Sequence, residues 1–412
     1  MRLVHRVLDL LSPPRLGRPF RWLFASTLVN NAGDGVAIAA GPLLVASQTR
    51  DPFLVSLALL SEYLPTFLFG VLGGAIADRV DRKRMVVAVN LGRSIVLAVL
   101  VWTIVTGTVS IAIILAALFI LGTAETFADS ASSTLVPTFV RREDLGLANS
   151  RMQGAFVLLN QLVLPPVGAF LFSVGPSIPF VANAATFVLG AVLISRIAES
   201  TRPERSEEGS GLVSEMVEGV RWLFGHAPMR TLALTILMFN VTWGAAWGVL
   251  VLYAGDRLGM NAVGFGLLTT ASAIGGVIGT FSYGALERRF SLANIMRVGL
   301  LIETFTHLSL AITTSPAWAL GTMVVFGAHA FVWGTTSTVV RQRAVPNELL
   351  GRVGGVYRVA MMGGIVVGTP IGGLLARGFG ITAPFWFAFV GSAVLVIVLW
   401  REFSHIAHAG EA

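Results

Sequence analysis

Long apolar runs alternate with short polar gaps along almost the whole chain. Apolar stretches lie near residues 21–46, 54–77, 85–107, 109–131, 150–173, 177–196, 229–254, 262–286, 292–313, 316–340, 353–376 and 380–400. A hydrocarbon core about 30 Å thick takes about 20 apolar residues to cross as a helix. Backbone N–H and C=O groups find no water there, so a spanning segment must be helical or belong to a closed barrel. Barrel strands would be shorter and would alternate in polarity, whereas these runs are continuous. The pattern predicts an all-α membrane protein with twelve transmembrane helices.

The polar gaps divide those spans. The longest gap, 197–228, separates six spans from six. Its first part, Glu199 to Gly211, is rich in Glu, Arg, Ser, Gly and Pro and reads as a solvated linker. Its second part places Leu212, Val213, Met216, Val217, Val220, Leu223 and Phe224 on one helical face. Glu215, Glu218 and Arg221 fall on the other, so a short amphipathic helix is expected on the inner leaflet. The halves repeat weakly. Val140, Glu143, Leu145 and Gly146 after span four match Val345, Glu348, Leu350 and Gly351 after span ten. A Pro/Gly cluster, Leu164-Pro165-Pro166-Val167-Gly168-Ala169 in span five, returns in span eleven as Gly368-Thr369-Pro370-Ile371-Gly372-Gly373. The expected organisation is a six-helix bundle over 1–196, a linker with an amphipathic helix over 197–228, and a second, pseudo-symmetric bundle over 229–412. Repeated halves of this kind are common in secondary transporters, which place substrate between them near the midplane.

Composition and charge narrow the class. Charged residues are 12% of the chain, against roughly a quarter in soluble domains. With no cysteine, disulfides, thiolate metal sites and cysteine nucleophiles are excluded. The net charge of +7 is distributed by topology. If the N-terminus faces the cytoplasm, the external gaps hold only Arg50, Arg257 and Arg377, while Arg clusters occupy cytoplasmic gaps at 79–84, 141–142, 202–230, 288–289 and 341–352. That is the positive-inside pattern, with both termini cytoplasmic, and it leaves no basic face for nucleic acid. The Arg-rich N-terminal segment leads straight into a full-length span and is expected not to be a cleaved signal peptide. No phosphate loop, His-Glu-x-x-His or Gly-x-Ser-x-Gly pattern is present. An enzyme is therefore not expected, nor a metal or cofactor, and a proton gradient is the expected energy source.

One polar gap carries a motif. Gly74-Ala75-Ile76-Ala77-Asp78-Arg79-Val80-Asp81-Arg82-Lys83-Arg84 follows span two. It resembles the loop 2–3 signature of the major facilitator superfamily, with Ile76 in place of Leu and Asp81 in place of the second Gly. Pro165/Gly168 and Pro370/Gly372/Gly373 resemble the antiporter signature of span five, a partial match in the first half because Leu164 and Ala169 replace glycines. Gly33-Asp34 in span one and Leu64-Pro65 in span two are similar to the group containing enterobactin exporters and macrolide efflux pumps. The resemblance implies the major facilitator fold and an exporter, in a bacterial cytoplasmic membrane. It also implies that Asp78 latches the cytoplasmic side shut against the start of helix eleven, with Arg79, Arg82 and Lys83 contributing and Arg352 or Arg358 as counter-charge. Gly74 is expected to let helix two approach a neighbour closely. A plainer reading, in which the basic residues only enforce topology, stays open.

Charges inside the spans are candidate functional groups, because a carboxylate at mid-bilayer costs roughly 2.5–3.5 kcal/mol. Asp34 is central in span one beside Asn30 and Asn31. Glu125 and Asp129 share a face of span four, and Glu303 and His307 a face of span nine. The resemblance implies that helices one, four, seven and ten line the passage, so Asp34, Glu125 and Asp129 would face it. Carboxylates close together in low dielectric cannot all ionise easily, the property a proton carrier needs. A structural role for these acids as hydrogen-bonded glue remains the alternative. Glu303 and His307, in a peripheral helix, are expected to be an intrahelical pair, and Arg93 to snorkel or to pair with the acids of loop 2–3. Spans seven and ten carry an aromatic face of Phe239, Asn240, Trp243 and Trp247, then Phe326, His329 and Trp333. Asn240, Trp243, His329 and Trp333 are candidate substrate contacts; helix packing is the competing role.

These features together predict a proton-coupled exporter of a small amphipathic molecule such as a drug, siderophore or natural product. It would work by alternating access, with membrane lipid as its surroundings and the monomer as its functional unit. An importer or uniporter on the same fold, or a lipid scramblase, remains the alternative. Asp78→Asn is expected to impair transport while membrane insertion stays normal, measured as flux in vesicles at matched protein level; full activity would refute the latch.

Overall fold

A computed structural model describes residues 13–77, 79–198 and 212–407. Among them every regular element is helical. The spanning elements of the first part of the chain are α1 (Gly17–Gln48), α2 (Pro52–Ala77), α3 (Arg82–Val105), α4 (Ile111–Phe139), α5 (Arg142–Val174) and α6 (Ile178–Ser195). After the linker come α7 (Leu212–Gly225), α8 (Ala227–Trp247), α9 (Leu250–Asp256), α10 (Ala262–Arg289), α11 (Leu292–Ile312), α12 (Pro316–Ala344), α13 (Leu350–Phe379), α14 (Ala383–Leu399) and α15 (Glu402–Ala407). Ten helices among the described residues are long and apolar enough to cross a bilayer, or eleven if α8 and α9, bent by 42°, form one span. The expected twelfth span is α14, whose 17 residues rise only about 26 Å at 1.5 Å each.

Local chemistry sets where the helices begin. Asp81 accepts from Arg84 N at 3.0 Å and caps α3, which accounts for an acid at that place in loop 2–3. Ser110, Asn261, Ser291 and Ser315 cap α4, α10, α11 and α12 in the same way. In α5 the hydrogen-bond pattern widens to a π-helix over Phe156–Val163, directly before Leu164-Pro165-Pro166. Two consecutive prolines lack the amide hydrogens that would continue an α-helical ladder through that point.

The chain forms two compact units. The first, Met1–Gln48 with Leu64–Ser206, packs Phe20 and Leu23 of α1 against Leu135 of α4 and Ile194 of α6. The second, Thr49–Tyr63 with Glu207–Ala412, is centred on Met296 and Leu300 of α11, Trp333 of α12, Tyr357 of α13 and Phe403 of α15. The start of α2 thus belongs with the second unit. Arg50 reaches Asp256 at 3.2 Å, Asp51 reaches Arg377 at 3.6 Å, and Phe53 lies against Gly373 of α13. Outward surfaces are apolar: Ile95, Trp102, Phe281 and Ile397 are each at least 65% exposed. Large exposed apolar patches on a soluble protein would mark a sticky surface; here they are what lipid covers.

The Pro/Gly clusters work alike in both units. A Cβ on Gly168 of α5 would overlap the Val36 carbonyl of α1. One on Gly372 of α13 would overlap the Ala245 carbonyl of α8, and one on Gly368 the carbonyl of Val241. Helices α5 on α1, and α13 on α8, therefore meet backbone to backbone. The close approach expected at Gly74 is found one residue earlier: a Cβ on Gly73 would come within 2.9 Å of Ser130 Oγ, whereas Gly74 has nothing within 4 Å. The helical screw turns Gly73, and not Gly74, toward α4. The amphipathic helix α7 packs on the start of α13, where Glu218 pairs with Arg352 and Gly219 lies 2.8 Å from the Arg352 carbonyl by the same Cβ measure. Its Val217 and Phe224 stay exposed.

Gly372→Val is expected to remove most folded protein, since overpacking costs about 1–3 kcal/mol or more. Gly354→Ala, with nothing within 4 Å, should hold or raise the melting temperature in nanodiscs.

Candidate functional site

In the first unit, glycines pin the backbone around Asp34. A Cβ on Gly33 would overlap Thr186 and Asn183 of α6, and one on Gly35 would overlap the Leu159 carbonyl in the π-helical turn of α5. With α5 and α6 so close on either side, the Asp34 side chain is directed toward α3 and α4. There it meets Arg93. The Arg93 guanidinium donates to Asp34 Oδ1 at 2.8 Å, stands 3.5 Å from Glu125 Oε2, and covers the Phe187 ring at 3.9 Å. Its side chain is 5% exposed.

Arg93, Asp34, Glu125 and Asp129 line one cavity of about 560 Å³, together with Asn30, Asn31, Ser132 and Gln153. Three carboxylates and one guanidinium carry a net charge of −2 when all are ionised. Protons, or hydrogen-bond donors on a guest, are what such a cavity lacks. Arg93 neither snorkels nor pairs with loop 2–3; it is the counter-ion shared by Asp34 and Glu125. The signal that finds it is an arginine inside an apolar run, which lipid obliges to have an acidic partner.

Loop 2–3 is partly described. Asp78 lies outside the described residues. Arg79 is exposed, Arg82 half-buried, and Lys83 donates to the Ile197 carbonyl at the end of α6 at 2.9 Å. Arg352, expected as a counter-charge there, is held by Glu218.

The aromatic face of the second unit divides in two. Trp243 and Trp247 are half-buried and stack with centroids 5.4 Å apart, and the Tyr63 ring meets Trp243 edge-on at 6.2 Å. Asn240 donates to the Ile236 carbonyl of its own helix at 2.8 Å. Trp333 is buried between Phe239 at 4.8 Å and Phe403 at 5.8 Å. Its ring neighbours in this structure are Phe239, His329 and Phe403. His329 is buried too, with its Nε2 3.3 Å from Glu303 Oε2. Glu303 also meets His307 at 3.1 Å, so the expected intrahelical pair is a three-residue cluster joining α11 and α12. Among the described residues no group of His, Cys, Asp and Glu has the arrangement to hold a metal ion.

The sequence profile of the family described as transmembrane secretion effector matches residues 11–407. The chain belongs to this family of the major facilitator superfamily. It is 26% identical over 386 residues to the multidrug efflux pump Tap of Mycolicibacterium fortuitum, covering 89% of this chain and 91% of that protein. It is 26% identical over 399 residues to the enterobactin exporter EntS of Escherichia coli O1:K1 / APEC, covering 88% and 89%. Among solved structures, an inward-facing bacterial homologue of the iron transporter ferroportin superposes with a TM-score of 0.74 at 18% identity, covering 95% of this chain and 98% of that one. The nucleoside transporter NupG gives 0.72 at 12%, covering 95% and 99%. Such low identities establish the fold alone, the major facilitator fold. As a transmembrane secretion effector the chain is a multi-pass membrane transporter and not an enzyme.

Arg93→Met in this transmembrane secretion effector leaves Asp34 without the cation it is paired with, and breaking such a buried pair costs about 3–5 kcal/mol. Melting in nanodiscs should drop, and Asp34→Asn in the same chain should restore part of the loss. Additive effects in that double-mutant cycle would show that the pair is not coupled.

Proposed function

We propose that this transporter exports a small amphipathic molecule in exchange for protons, in a bacterial cytoplasmic membrane and as a monomer with both termini inside. The observation that carries the reading is the shared Arg93 between Asp34 and Glu125 on the wall of a polar cavity, with Asp129 beside them. A proton on Asp34 cancels its hold on the guanidinium, which then belongs to Glu125. Each proton also removes one negative charge from a site that is −2 when empty of protons. A guest that donates hydrogen bonds or carries positive charge competes for those same oxygens, so proton entry and guest release are one exchange. This is the chemistry antiport needs.

Two further features support export of an amphipathic guest. The half-buried Trp243 and Trp247 offer ring faces for an apolar body, and the named relatives are an efflux pump and an exporter. The linker helix α7, with its exposed Val217 and Phe224, suits the inner leaflet expected for a cytoplasmic linker.

The test is flux in inside-out vesicles against a panel of ethidium, erythromycin and enterobactin, with internal pH read in parallel. Asp34→Asn and Glu125→Gln are each expected to lower proton-driven flux by about tenfold or more, with normal insertion. Undiminished coupling in both variants would overturn the proposal, as would flux that never moves the internal pH.

A further inference from the structure

We propose that Glu303, His307 and His329 form a second proton-binding site, in the second unit, where two imidazoles face a single carboxylate and one of them takes up a proton. Its parts come from two helices: Glu303 and His307 from α11, and His329 from α12. Glu303 is 4% exposed, His307 0% and His329 6%. His307 Nε2 stands 3.1 Å from Glu303 Oε1, and His329 Nε2 stands 3.3 Å from Oε2. An ionised carboxylate only accepts hydrogen bonds, so each imidazole is assigned its hydrogen on Nε2. The basic atom left on each ring is Nδ1.

Charge arithmetic then gives the ligand. A carboxylate with two neutral imidazoles has a net charge of −1, and one added proton makes the cluster neutral. Among the described residues no permanent cation answers that charge. The side chains acting on Glu303 are His307 and His329. On its own helix, Arg297 is turned away to the Trp400 carbonyl at 2.8 Å and Ser404 at 2.7 Å. On α12, Arg343 is engaged with Glu287 of α10 at 3.3 Å, and Arg341 covers the Tyr357 ring. Tyr283 of α10 lies in the inner part of that helix beside Glu287. The span of α8 from Thr231 to Trp247 and all of α14 contain no ionisable residue. On α15, Glu402 and His405 pair with each other at 3.5 Å. A lone negative charge in that setting is unfavourable, and a proton is the cation that fits between groups already in hydrogen-bond contact.

The two Nδ1 atoms differ in access. That of His307 is buried without a partner, below Trp247, whose ring meets the imidazole edge-on at 6.2 Å. That of His329 faces Gly299 of α11, where a Cβ would come within 3.0 Å of it. Both His329 and Gly299 are on the wall of a cavity of about 530 Å³ between α10, α11 and α12. His329 Nδ1 is therefore the basic atom assigned the proton, and Glu303, accepting from Nε2–H of both rings, balances the imidazolium charge. No bond other than N–H forms or breaks. Phe239 and Trp333, with ring centroids 6.5 Å and 6.1 Å from His329, keep the pair dry.

The site deepens the proton-coupled reading above, and its test does not depend on transport. The full chain, labelled with 15N-histidine, is titrated in phosphatidylethanolamine/phosphatidylglycerol nanodiscs, with signals assigned through His307→Gln and His329→Gln. In the unaltered protein one of the two imidazoles should pass from the Nε2–H form to imidazolium as the nanodiscs are acidified. Glu303→Gln, which removes the charge the proton answers, should leave both imidazoles neutral through the same titration. Two imidazoles that stay neutral throughout in the unaltered chain would overturn the proposal without recourse to any variant. So would a folded Glu303→Gln protein that titrates like the unaltered one. Titration here with no proton exchange in vesicles would overturn the proposed function and leave this site standing; exchange without titration would do the reverse.

Discussion

Inside the bilayer a charge cannot wait for water, so each ionisable group must arrive with its partner. That constraint organises the interior of this protein. Arg93 can stand in α3 only because Asp34 of α1 and Glu125 of α4 converge on it. Glu303 can stand in α11 only because two imidazoles, one from its own helix and one from α12, donate to its oxygens. Convergence of that kind needs helices closer than bulky side chains permit, and the glycines supply it. Gly33 and Gly35 seat α1 on α6 and α5, so the residue between them has one direction left to point. The helix-breaking prolines of α5 belong to the same arrangement: the widened turn they follow is the surface on which Gly35 rests.

The two units answer the constraint differently. The first has a permanent cation, an excess of carboxylates and a polar cavity around them. Among the described residues the second has no permanent cation at its cluster, and aromatic rings stand around it. The first cluster lines a polar cavity of about 560 Å³, and His329 of the second lies on the wall of an apolar one of about 530 Å³.

Fold class was legible from the chain because lipid imposes one rule on every spanning segment. Length and continuity of apolar runs located the helices, and loop 2–3 with the Pro/Gly clusters pointed to the superfamily. The count was less secure at α14, where 17 residues fall near the lower limit for crossing. The acids were legible for the same reason as the spans: Asp34, Glu125 and Asp129 interrupt apolar runs, and periodicity put two of them on one face. What they bind was not. Arg93 is fifty-nine positions from Asp34, and His329 is far from Glu303 along the chain, so helical spacing carries no information about either contact. Gly74 shows the same limit on a smaller scale, since a shift of one residue turns a side chain by about 100° about the helix axis.

The sequence by itself determined that this chain lives in a membrane, which segments cross it, and which polar residues are too costly there to be incidental. Hydrophobic burial depends on the composition of each segment, and composition is local. Tertiary structure alone decided that Arg93 neutralises Asp34, that Glu303 gathers two histidines, and that Trp333 is buried among Phe239, His329 and Phe403. Those outcomes depend on which helices touch and at what rotation, and both are properties of the packed bundle.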